Sequence, residues 1–188
     1  MKRLGILFVI SAPSGAGKST ICSSLRQTPD TVYAVSCTTR TPRAGETDGE
    51  DYHFMEATDF QRRIGAGDFL EYARVHDHYY GTLRQSIVDT LRAGTDVLVD
   101  IDVQGAKTIR KSTDPFISDS LVDIFIMPPS LEELRHRLEK RGTESAGQID
   151  FRLTNAAAEM KCWREYKYTI ISGSMEEDLT KCRAITRA

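Results

Sequence analysis

Residues 12–20 read Ala-Pro-Ser-Gly-Ala-Gly-Lys-Ser-Thr and form the segment best suited to chemistry. The glycines let several backbone N–H groups converge on an anion, and the helix pattern that begins at Ser19 adds the positive end of its dipole. Lys18 can reach the outer phosphates of a nucleoside triphosphate, and the Ser19 hydroxyl can ligate Mg²⁺. The predicted phosphate loop consists of Ala12, Pro13, Ser14, Gly15, Ala16, Gly17, Lys18, Ser19 and Thr20.

One position of this loop departs from the usual G-x-x-x-x-G-K-[ST] pattern, because Ala12 stands where the first glycine is expected. Alanine tolerates fewer backbone angles than glycine, but Gly15 and Gly17 preserve most of the loop's freedom. A turn that merely uses glycines between a strand and a helix is the alternative, and it leaves Lys18 without a role.

The strand before the loop also has the pattern of a targeting segment. Lys2-Arg3 followed by the apolar run Leu4–Ile10 is similar to a short secretory signal. Cleavage after Ala12 or Ala16 would destroy the phosphate loop, and the apolar run is too short to span a bilayer. We therefore expect a buried first strand and a cytoplasmic protein.

Another apolar strand pattern, Val97–Ile101, ends in two carboxylates, Asp100 and Asp102. In phosphate-loop proteins an acid at such a strand end holds Mg²⁺, directly or through water. We assign Asp100 to the metal together with Ser19. Asp102 is left either to cap the helix that begins near Gln104 or to touch substrate.

Arg40 and Arg43 flank Pro42, which fixes the backbone between them. Guanidinium groups bind phosphate oxygens bidentately, which a lysine cannot do. The stretch Gly45–Tyr52 carries four acids, which a general anion-binding surface would not. A phosphate site and a solvated loop are both compatible with this pattern.

A second group of arginines surrounds the polar loop Gly142–Gln148, which we predict to be a moving lid. Phosphoryl transfer places negative charge on the transferred oxygens, so cations that arrive with a closing lid would stabilise the reaction. The arginines of this group are Arg135, Arg137, Arg141 and Arg152, and the better candidates for this role are Arg137 and Arg141, four residues apart on one helix face. We expect Arg135 instead to pair with neighbouring glutamates of its own helix.

Strand and helix patterns alternate along the chain, which predicts an α/β fold with a mainly parallel sheet covered by helices on both faces. The core strand patterns are Leu4–Ser11, Val32–Cys37, Val97–Ile101, Leu121–Met127 and Tyr168–Ile171. The helix patterns are Ser19–Gln27, Thr58–Ala66, a capped helix from Ser130 to near Gly142, an apolar stripe from Ile149 to Met160, and residues 175–188. The strands Phe69–Val75 and His78–Gly81 join the helix Thr58–Ala66 in an inserted α+β lobe.

The composition provides few further signals. A net charge of −2 over 188 residues gives no global field for nucleic acid or membrane. The cysteines, Cys22, Cys37, Cys162 and Cys182, are scattered and are expected to be reduced thiols. The histidines lack metal-ligand spacing, and we interpret the pair His76 and His78 as part of a solvated loop.

Taken together, these motifs resemble those of the guanylate kinase family, and the resemblance covers nearly the whole chain. The matching segments are Ser11–Thr20, Ser36–Arg43, Gly49–Tyr52, Phe69–Glu71, Tyr79–Thr82, Asp100–Gly105, Pro128–Ser130 and Arg141–Glu144. The T-T-R-x-P-R and Y-Y-G elements in this order are far more specific than the phosphate loop alone.

The resemblance implies Mg²⁺-assisted transfer of the ATP γ-phosphate to GMP, and to dGMP, in purine nucleotide metabolism and GMP recycling. It implies a nucleotide-binding core over 1–35, 83–129 and 160–188, a GMP-binding lobe over 36–82 and a lid over 130–159. The implied GMP-binding residues are Ser36, Arg40, Arg43, Tyr52, Glu71, Tyr80, Thr82 and Asp102. The implied catalytic residues are Lys18, Arg137, Arg141 and Arg152.

The chemistry of guanine agrees with these roles. Guanine presents N1–H and N2–H₂ donors beside the O6 acceptor, so an ionised Glu71 can accept from both donors while a hydroxyl on Ser36 or Thr82 donates to O6. Strand alternation indicates that only one of Tyr79 and Tyr80 faces the ligand.

One segment departs from the family. Ile170–Ser174 stands where Val-Asn-Asp-Asp is common, beside the adenine of the donor nucleotide, so the contacts to the donor base are open.

Two other functions are compatible with the same fold. A kinase for another phosphorylated acceptor is disfavoured by Ser36, Glu71 and Thr82 together. A non-catalytic phosphopeptide-binding module is disfavoured because Lys18 and Arg141 are present. We expect small-molecule partners, no nucleic acid and no membrane, and the oligomeric state is left open.

Overall fold

The computed structural model describes residues 3–26, 31–75, 77–142 and 144–187. Its strands are β1 Leu7–Ser11, β2 Thr31–Tyr33, β3 Cys37–Thr38, β4 His53–Phe54, β5 Phe69–Val75, β6 His78–Leu83, β7 Asp96–Asp100, β8 Leu121–Met127 and β9 Tyr168–Ile171. Its helices are α1 Lys18–Leu25, α2 Ala57–Ala66, α3 Arg84–Arg92, α4 Val103–Arg110, α5 Pro115–Ser120, α6 Leu131–Arg141, α7 Ala146–Met160 and α8 Met175–Thr186. A 3₁₀ helix spans Lys161–Glu165. Five positions used above, Lys2, Gln27, His76, Thr143 and Ala188, lie outside the described residues.

The chain divides into two compact units. The first unit contains the described residues within 1–7, 30–99 and 104–121. The second unit contains those within 8–29, 100–103 and 122–188. The division into a core, a lobe and a lid stays a prediction.

The larger sheet has five strands in the order β2-β7-β1-β8-β9. The pairs β2–β7 and β8–β9 are parallel, with Val32 opposite Val97 and Phe125 opposite Thr169. β1 reads Leu-Phe-Val-Ile-Ser and is buried at every position, as a strand covered on both faces requires. The α/β fold predicted from the alternation of strands and helices is confirmed.

β6 ends at Leu83 rather than Gly81, and β7 spans Asp96–Asp100 rather than Val97–Ile101. Two other predicted strands differ from the structure by more than two residues, each because neighbouring residues form other hydrogen bonds. β1 begins at Leu7 rather than Leu4, since Gly5 N–H donates to the Leu91 carbonyl and Ile6 N–H donates to Asp96 Oδ1. The pattern Val32–Cys37 covers two strands, because the chain leaves β2 after Tyr33 and enters the second sheet at Cys37. An apolar pattern does not mark a change of sheet.

The smaller sheet lies within the first unit and has the order β4-β3-β6-β5. β5 and β6 are antiparallel and place Glu71 opposite Thr82. At Gly81 an added Cβ would lie 2.9 Å from Phe69 Cδ1 and 3.0 Å from the Glu71 carbonyl oxygen, so this position requires glycine. Phe60 of α2 packs against the sheet, with its ring 4.3 Å from that of Phe69. The lobe strands and helix predicted for this region are present.

Helices α6 and α7 of the second unit pack through a shared apolar cluster. Its members are Leu134, Leu138, Ile149, Leu153 and Ala156. Ser130 caps α6 by accepting from Glu133 N–H, and Gly142 ends it in a left-handed conformation, as predicted. The polar loop is shorter than the predicted Gly142–Gln148, because Ser145 and Gln148 form a capping box that starts α7 at Ala146.

Among the helices of the described residues, no candidate has the length and hydropathy needed to cross a lipid bilayer.

Candidate active site

The phosphate loop of the second unit connects β1 to α1, as the sequence predicts. Gly15 and Gly17 adopt φ values of +88° and +90°, which L-residues rarely do. A Cβ on Gly15 would also lie 2.7 Å from Leu138 Cδ2, whereas one on Gly17 would meet nothing within 4 Å. Two independent features therefore favour glycine at position 15: the positive φ of the backbone and the close approach of α6.

Lys18 contacts the acid that the sequence assigns to the metal. Its Nζ lies 2.6 Å from Asp100 Oδ1 and donates to the Ile101 carbonyl at 2.7 Å. Both side chains are largely buried. The buried Cys22 thiol also lies against Asp100, and burial raises the pKa of this thiol far above its usual value. Asp100, the last residue of β7, thus lies beside Lys18, the first residue of α1.

Helix α7 contacts the same loop at Ser14 through two side chains. Arg152 Nη1 donates to Ser14 Oγ at 2.7 Å, and Ser14 N–H donates to Glu159 Oε2 at 3.2 Å. Arg152 also pairs with Glu144 at 3.0 Å. Burial raises the pKa of Glu159, and the nearby Asp102 carboxylate adds to this, while the Ser14 N–H and Lys18 oppose it.

Glu144 and Glu159 are site residues that the sequence reasoning missed. Glu159 follows Arg152 by seven residues, which places both on one face of α7, and this spacing was the available signal. Glu144 Oε2 is buried without a hydrogen-bond partner among the described residues. Both acids therefore belong with the predicted arginines in any account of this site.

The other predicted cations of the second unit have different surroundings. Arg137 Nε donates to Glu133 at 2.8 Å, and its Nη1 donates to Ser172 Oγ at 3.0 Å. Arg141 is the exposed last residue of α6. Arg135 forms a salt bridge, but its partner at 2.8 Å is Asp150 of α7 rather than a glutamate of its own helix. That predicted pairing is wrong because α7 packs beside α6 and presents an acid.

A cavity of about 230 Å³ adjoins the end of the phosphate loop. Its walls are formed by Ala16, Gly17, Thr20, Ile21, Arg137, Ser172, Gly173, Met175 and Asp178. Asp178 is buried, accepts from Ser172 Oγ at 2.7 Å and accepts from Gly173 N–H at 2.9 Å. The segment that departs from the family pattern therefore lines this cavity.

In the first unit, the three residues predicted to read the base are adjacent. Glu71 is buried on β5 and accepts a hydrogen bond from Thr82 Oγ1 at 2.7 Å. Ser36 Oγ lies 3.4 Å from the same Thr82 hydroxyl. A carboxylate and two hydroxyls thus converge at the smaller sheet, although 46 positions separate Ser36 from Thr82.

The predicted phosphate-binding residues of this unit surround an exposed loop. Arg40 donates to Glu46 Oε1 at 2.8 Å and to the Thr41 carbonyl at 2.7 Å, and Glu46 Oε2 accepts from Arg43 N–H. The bond from Arg40 lowers the pKa of Glu46. The Arg40 guanidinium lies 5.6 Å from the ring centre of Tyr52. Glu46, one of the four acids of this stretch, is therefore paired with Arg40, one of the two arginines.

The two neighbouring tyrosines of β6 have different environments, as strand alternation predicts. Tyr80 contacts Tyr52 edge to face, with ring centres 5.9 Å apart. Tyr79 stacks on Phe60 at 5.4 Å, within the apolar packing of the lobe. Tyr80 thus belongs with the Arg40 group and Tyr79 with the core.

Comparison with known proteins identifies the family of this chain. Residues 5–188 match the sequence model of the family described as guanylate kinase. The chain belongs to the guanylate kinase family. A guanylate kinase of Caldanaerobacter subterraneus subsp. tengcongensis is 44% identical over 186 residues, covering 98% of this chain and 88% of that protein. A guanylate kinase of Dechloromonas aromatica is 45% identical over 185 residues, covering 98% and 89%.

Solved structures agree with this membership of the guanylate kinase family. The crystal structure of guanylate kinase from Anaplasma phagocytophilum superposes with a TM-score of 0.78 at 34% identity, over 100% of this chain and 87% of that one. A gluconokinase from Sinorhizobium meliloti 1021 superposes with a TM-score of 0.53 at 15% identity, which shows a shared fold alone.

The oxygen donors of the second unit fit the Mg²⁺ that a guanylate kinase would use with ATP. Mg²⁺ prefers oxygen ligands and commonly takes one or two carboxylates together with waters and substrate phosphates. The Asp100 carboxylate at the strand end and the exposed Ser19 hydroxyl on α1 are of this type. Among the described residues no group of three or more histidine, cysteine or acidic side chains could hold a metal ion.

Proposed function

We propose that this chain transfers the γ-phosphate of ATP to GMP, and to dGMP, giving ADP and the guanosine or deoxyguanosine diphosphate. The observation that carries the proposal is the buried Glu71 carboxylate with Thr82 and Ser36 beside it. A carboxylate in this position is costly unless it has hydrogen-bond donors. The N1–H and N2–H₂ groups of guanine are such donors.

The same three side chains explain why the acceptor would be guanine rather than adenine. An ionised Glu71 accepts from the two guanine donors, and a hydroxyl of Ser36 or Thr82 donates to O6. Adenine in the same position presents the N1 acceptor and a C–H group to Glu71, so it would supply neither of the two donors that guanine offers to the carboxylate. Sites of this kind reject the wrong ligand by about 10⁴- to 10⁵-fold.

The acceptor phosphate would be held by Arg40, Arg43, Tyr52 and Tyr80. Arginine forks and tyrosine hydroxyls donate to phosphate oxygens, and the bond from Arg40 to Glu46 holds the guanidinium against the Tyr52 ring before the ligand binds. Asp102 is a further proposed contact for GMP, from the strand end after β7.

The donor triphosphate would be bound by the phosphate loop of the second unit. The backbone N–H groups of the loop and the α1 dipole attract the phosphates, and Lys18 exchanges part of its contact with Asp100 for phosphate oxygens. Mg²⁺ held by Ser19 and Asp100 would neutralise phosphate charge. Phosphoryl transfer needs little covalent chemistry from the protein, so positioning and charge stabilisation supply most of the catalysis.

Arg137, Arg141 and Arg152 are the proposed cations for the transferred phosphoryl group. Arg152 already contacts the loop residue Ser14, and Arg137 lies on the wall of the cavity next to the loop. Each guanidinium can spread its donors over two oxygens, which matches the charge on the equatorial oxygens in the transition state.

The test is an ATP-consumption assay of the purified chain with GMP, dGMP, AMP, UMP and ribose 1,5-bisphosphate as acceptors. We expect rapid turnover with GMP, turnover with dGMP, and at most trace activity with the other three. Turnover with AMP or ribose bisphosphate but not GMP would replace the proposal with a kinase for another acceptor. Binding of phosphopeptides without turnover would replace it with a non-catalytic module.

A further inference from the structure

One contact of the phosphate loop is not used by the proposed function, namely the hydrogen bond from Ser14 N–H to the Glu159 carboxylate on α7. We propose that Glu159 is a positioning residue, which fixes Ser14 so that Arg152 is held at the phosphate loop in the place that phosphoryl transfer requires. Glu159 itself would touch neither nucleotide. The inference rests on the proposed function and adds a residue that acts through Arg152.

Two side chains of α7 converge on Ser14. Arg152 Nη1 donates to the Ser14 hydroxyl at 2.7 Å, and Glu159 Oε2 accepts from Ser14 N–H at 3.2 Å. Arg152 and Glu159 are separated by about two helical turns, or about 10.5 Å of rise, and lie on one face of α7. Ser14 is thus attached to this helix at two points, once through its side chain and once through its backbone.

The two attachments of Ser14 depend on each other. The position of a serine hydroxyl follows from its backbone, and the Ser14 backbone leads into Gly15, whose φ of +88° begins the sharp turn of the loop. Pro13 has no N–H, so Ser14 N–H is the first backbone donor after it that can attach the loop to α7. The bond to Glu159 therefore fixes the peptide that places the hydroxyl in front of Arg152.

Arg152 has a second anchor in Glu144. Its Nη2 pairs with Glu144 Oε1 at 3.0 Å, and the Glu144 side chain is only 8% exposed. This residue lies two positions before the start of α7, so the pair orients the guanidinium without attaching it to the phosphate loop. Loss of Glu159 should therefore leave Arg152 charged and paired with Glu144, but displaced from the loop.

The surroundings of Glu159 place it close to the reacting groups. Burial raises the pKa of its carboxyl, the Ser14 N–H lowers it, the Asp102 carboxylate raises it and the Lys18 ammonium lowers it. The carboxylate is therefore within electrostatic reach of Lys18, beside which the donor phosphates would bind. Misplacement of a reacting group by about 1 Å can cost about 100-fold in rate, so a residue that fixes Arg152 here should affect kcat.

The first experiment compares Glu159→Ala with Glu159→Gln in the ATP-consumption assay with GMP. We expect Glu159→Ala to lower kcat by about 100-fold with KM for GMP unchanged, because the proposed contacts to GMP remain. Glu159→Gln should stay within about fivefold of the unmodified protein, because its amide oxygen still accepts from Ser14 N–H. Asp150→Ala is the matched control, since it removes an exposed acid of the same helix and should leave kcat unchanged.

Three outcomes of this comparison are decisive. A fall in kcat of less than about tenfold in Glu159→Ala, or an equal fall in Glu159→Gln, would overturn the inference and leave the proposed function intact. A lower KM for ATP with unchanged kcat would also overturn it, because Glu159 would then compete with phosphate for Ser14 N–H. Failure of the unmodified protein to phosphorylate GMP would instead overturn the proposed function.

The second experiment asks whether Glu159 acts through Arg152. In an Arg152→Ala background the guanidinium is absent, so Glu159→Ala should lower kcat further by less than about threefold. The same factor in both backgrounds would show that the two residues act independently and would contradict the inference. Melting temperatures verify that each variant is folded. If Glu159→Ala does not fold, Glu159→Asp takes its place, because it keeps the charge but withdraws the oxygen from Ser14 by one methylene.

Discussion

The base-reading cluster of the first unit and the cavity of the second unit use polar side chains in opposite ways. In the first unit, the Glu71 carboxylate is buried on a strand and accepts from Thr82, and we propose that it also accepts from the donors of guanine. In the second unit, the buried Asp178 is already satisfied by Ser172 and Gly173. Under the proposed function, a mismatched base would therefore be penalised at the acceptor cluster, whereas Asp178 keeps both of its partners within the protein.

The groups that we propose to bind phosphate show the reverse contrast. In the second unit they are part of a strand, a loop and a helix, with Lys18 and Asp100 largely buried. In the first unit Arg43 and its neighbours lie on an exposed loop. Under the proposed function, the donor would therefore be bound mainly through its phosphates, and the acceptor through both its base and its phosphate.

The largest expected effect tests the phosphate side of the second unit. Lys18→Ala removes the cation nearest to the donor phosphates and leaves Asp100 without its partner. We expect kcat to fall by about 1,000-fold or more, since one electrostatic contact of this kind contributes about 10²- to 10³-fold and the loop geometry is disturbed as well. Lys107→Ala, on the exposed face of α4, is the matched control. Near-normal turnover in Lys18→Ala, by the ATP-consumption assay, would remove the phosphate loop from the proposed mechanism.

The next effect tests base reading in the first unit. Glu71→Gln keeps the shape but replaces one acceptor oxygen with an NH₂ group that faces the guanine donors. We expect kcat/KM for GMP to fall by about 10²- to 10⁴-fold while KM for ATP changes little. Glu56→Gln, at an exposed glutamate of the same unit, should behave as the unmodified protein. A loss shared equally by GMP and poor acceptors would contradict the base-reading role.

A smaller effect tests the exposed arginines. Arg43→Lys keeps the charge but cannot bind two phosphate oxygens in one plane. We expect KM for GMP to rise about 10- to 100-fold, the loss of one charge-assisted hydrogen bond, with KM for ATP unchanged. Steady-state kinetics with each substrate varied in turn measure this, and Arg62→Lys on the surface of α2 is the control. An equal rise in both KM values would argue for a general disturbance of the chain.

Alanine substitutions at two glycines of the phosphate loop distinguish the cost of backbone strain from the cost of a packing clash. Gly17→Ala places a side chain at φ +90° in open space, which costs about 1–2 kcal/mol of the free energy of unfolding. Gly15→Ala has the same strain and a contact of 2.7 Å with Leu138, so its cost should be larger. Urea denaturation of both variants measures the difference, and equal costs would show that α6 yields to the added methyl group.

The smallest effect concerns the acid that holds Ser14. Burial raises the pKa of Glu159 above its ordinary value of 4.5, so the folded protein binds this proton more tightly than the unfolded chain does. Stability contributed by the protonated form is present below pH 4.5 and is lost as the pH rises through the raised pKa. Glu159→Gln lacks this titration, so the unmodified protein should lose free energy of unfolding relative to the variant between pH 4 and 7. Parallel urea curves at the two pH values measure it, and a constant difference would contradict the assignment.

Local patterns in the sequence were sufficient for several features. The phosphate loop, the ends of α6, the α/β class and the strands β5, β8 and β9 follow from short-range rules of glycine conformation, helix capping and apolar alternation. The spacing in Tyr79 and Tyr80 likewise predicted opposite environments. Each of these depends on residues within about one turn or one strand of each other.

Contacts between distant residues were decided by tertiary structure. Thr82 meets Ser36 across 46 positions, Arg152 reaches Ser14 across 138 positions, and Arg135 finds Asp150 rather than its own helix. No local rule predicts these, because the partner is set by which elements pack together. The sequence alone therefore predicted which residues would bind phosphate and guanine, and packing decided which acids contact them. The physical reason is that the chemistry of a side chain is fixed by its residue type, whereas its neighbours depend on how distant elements pack.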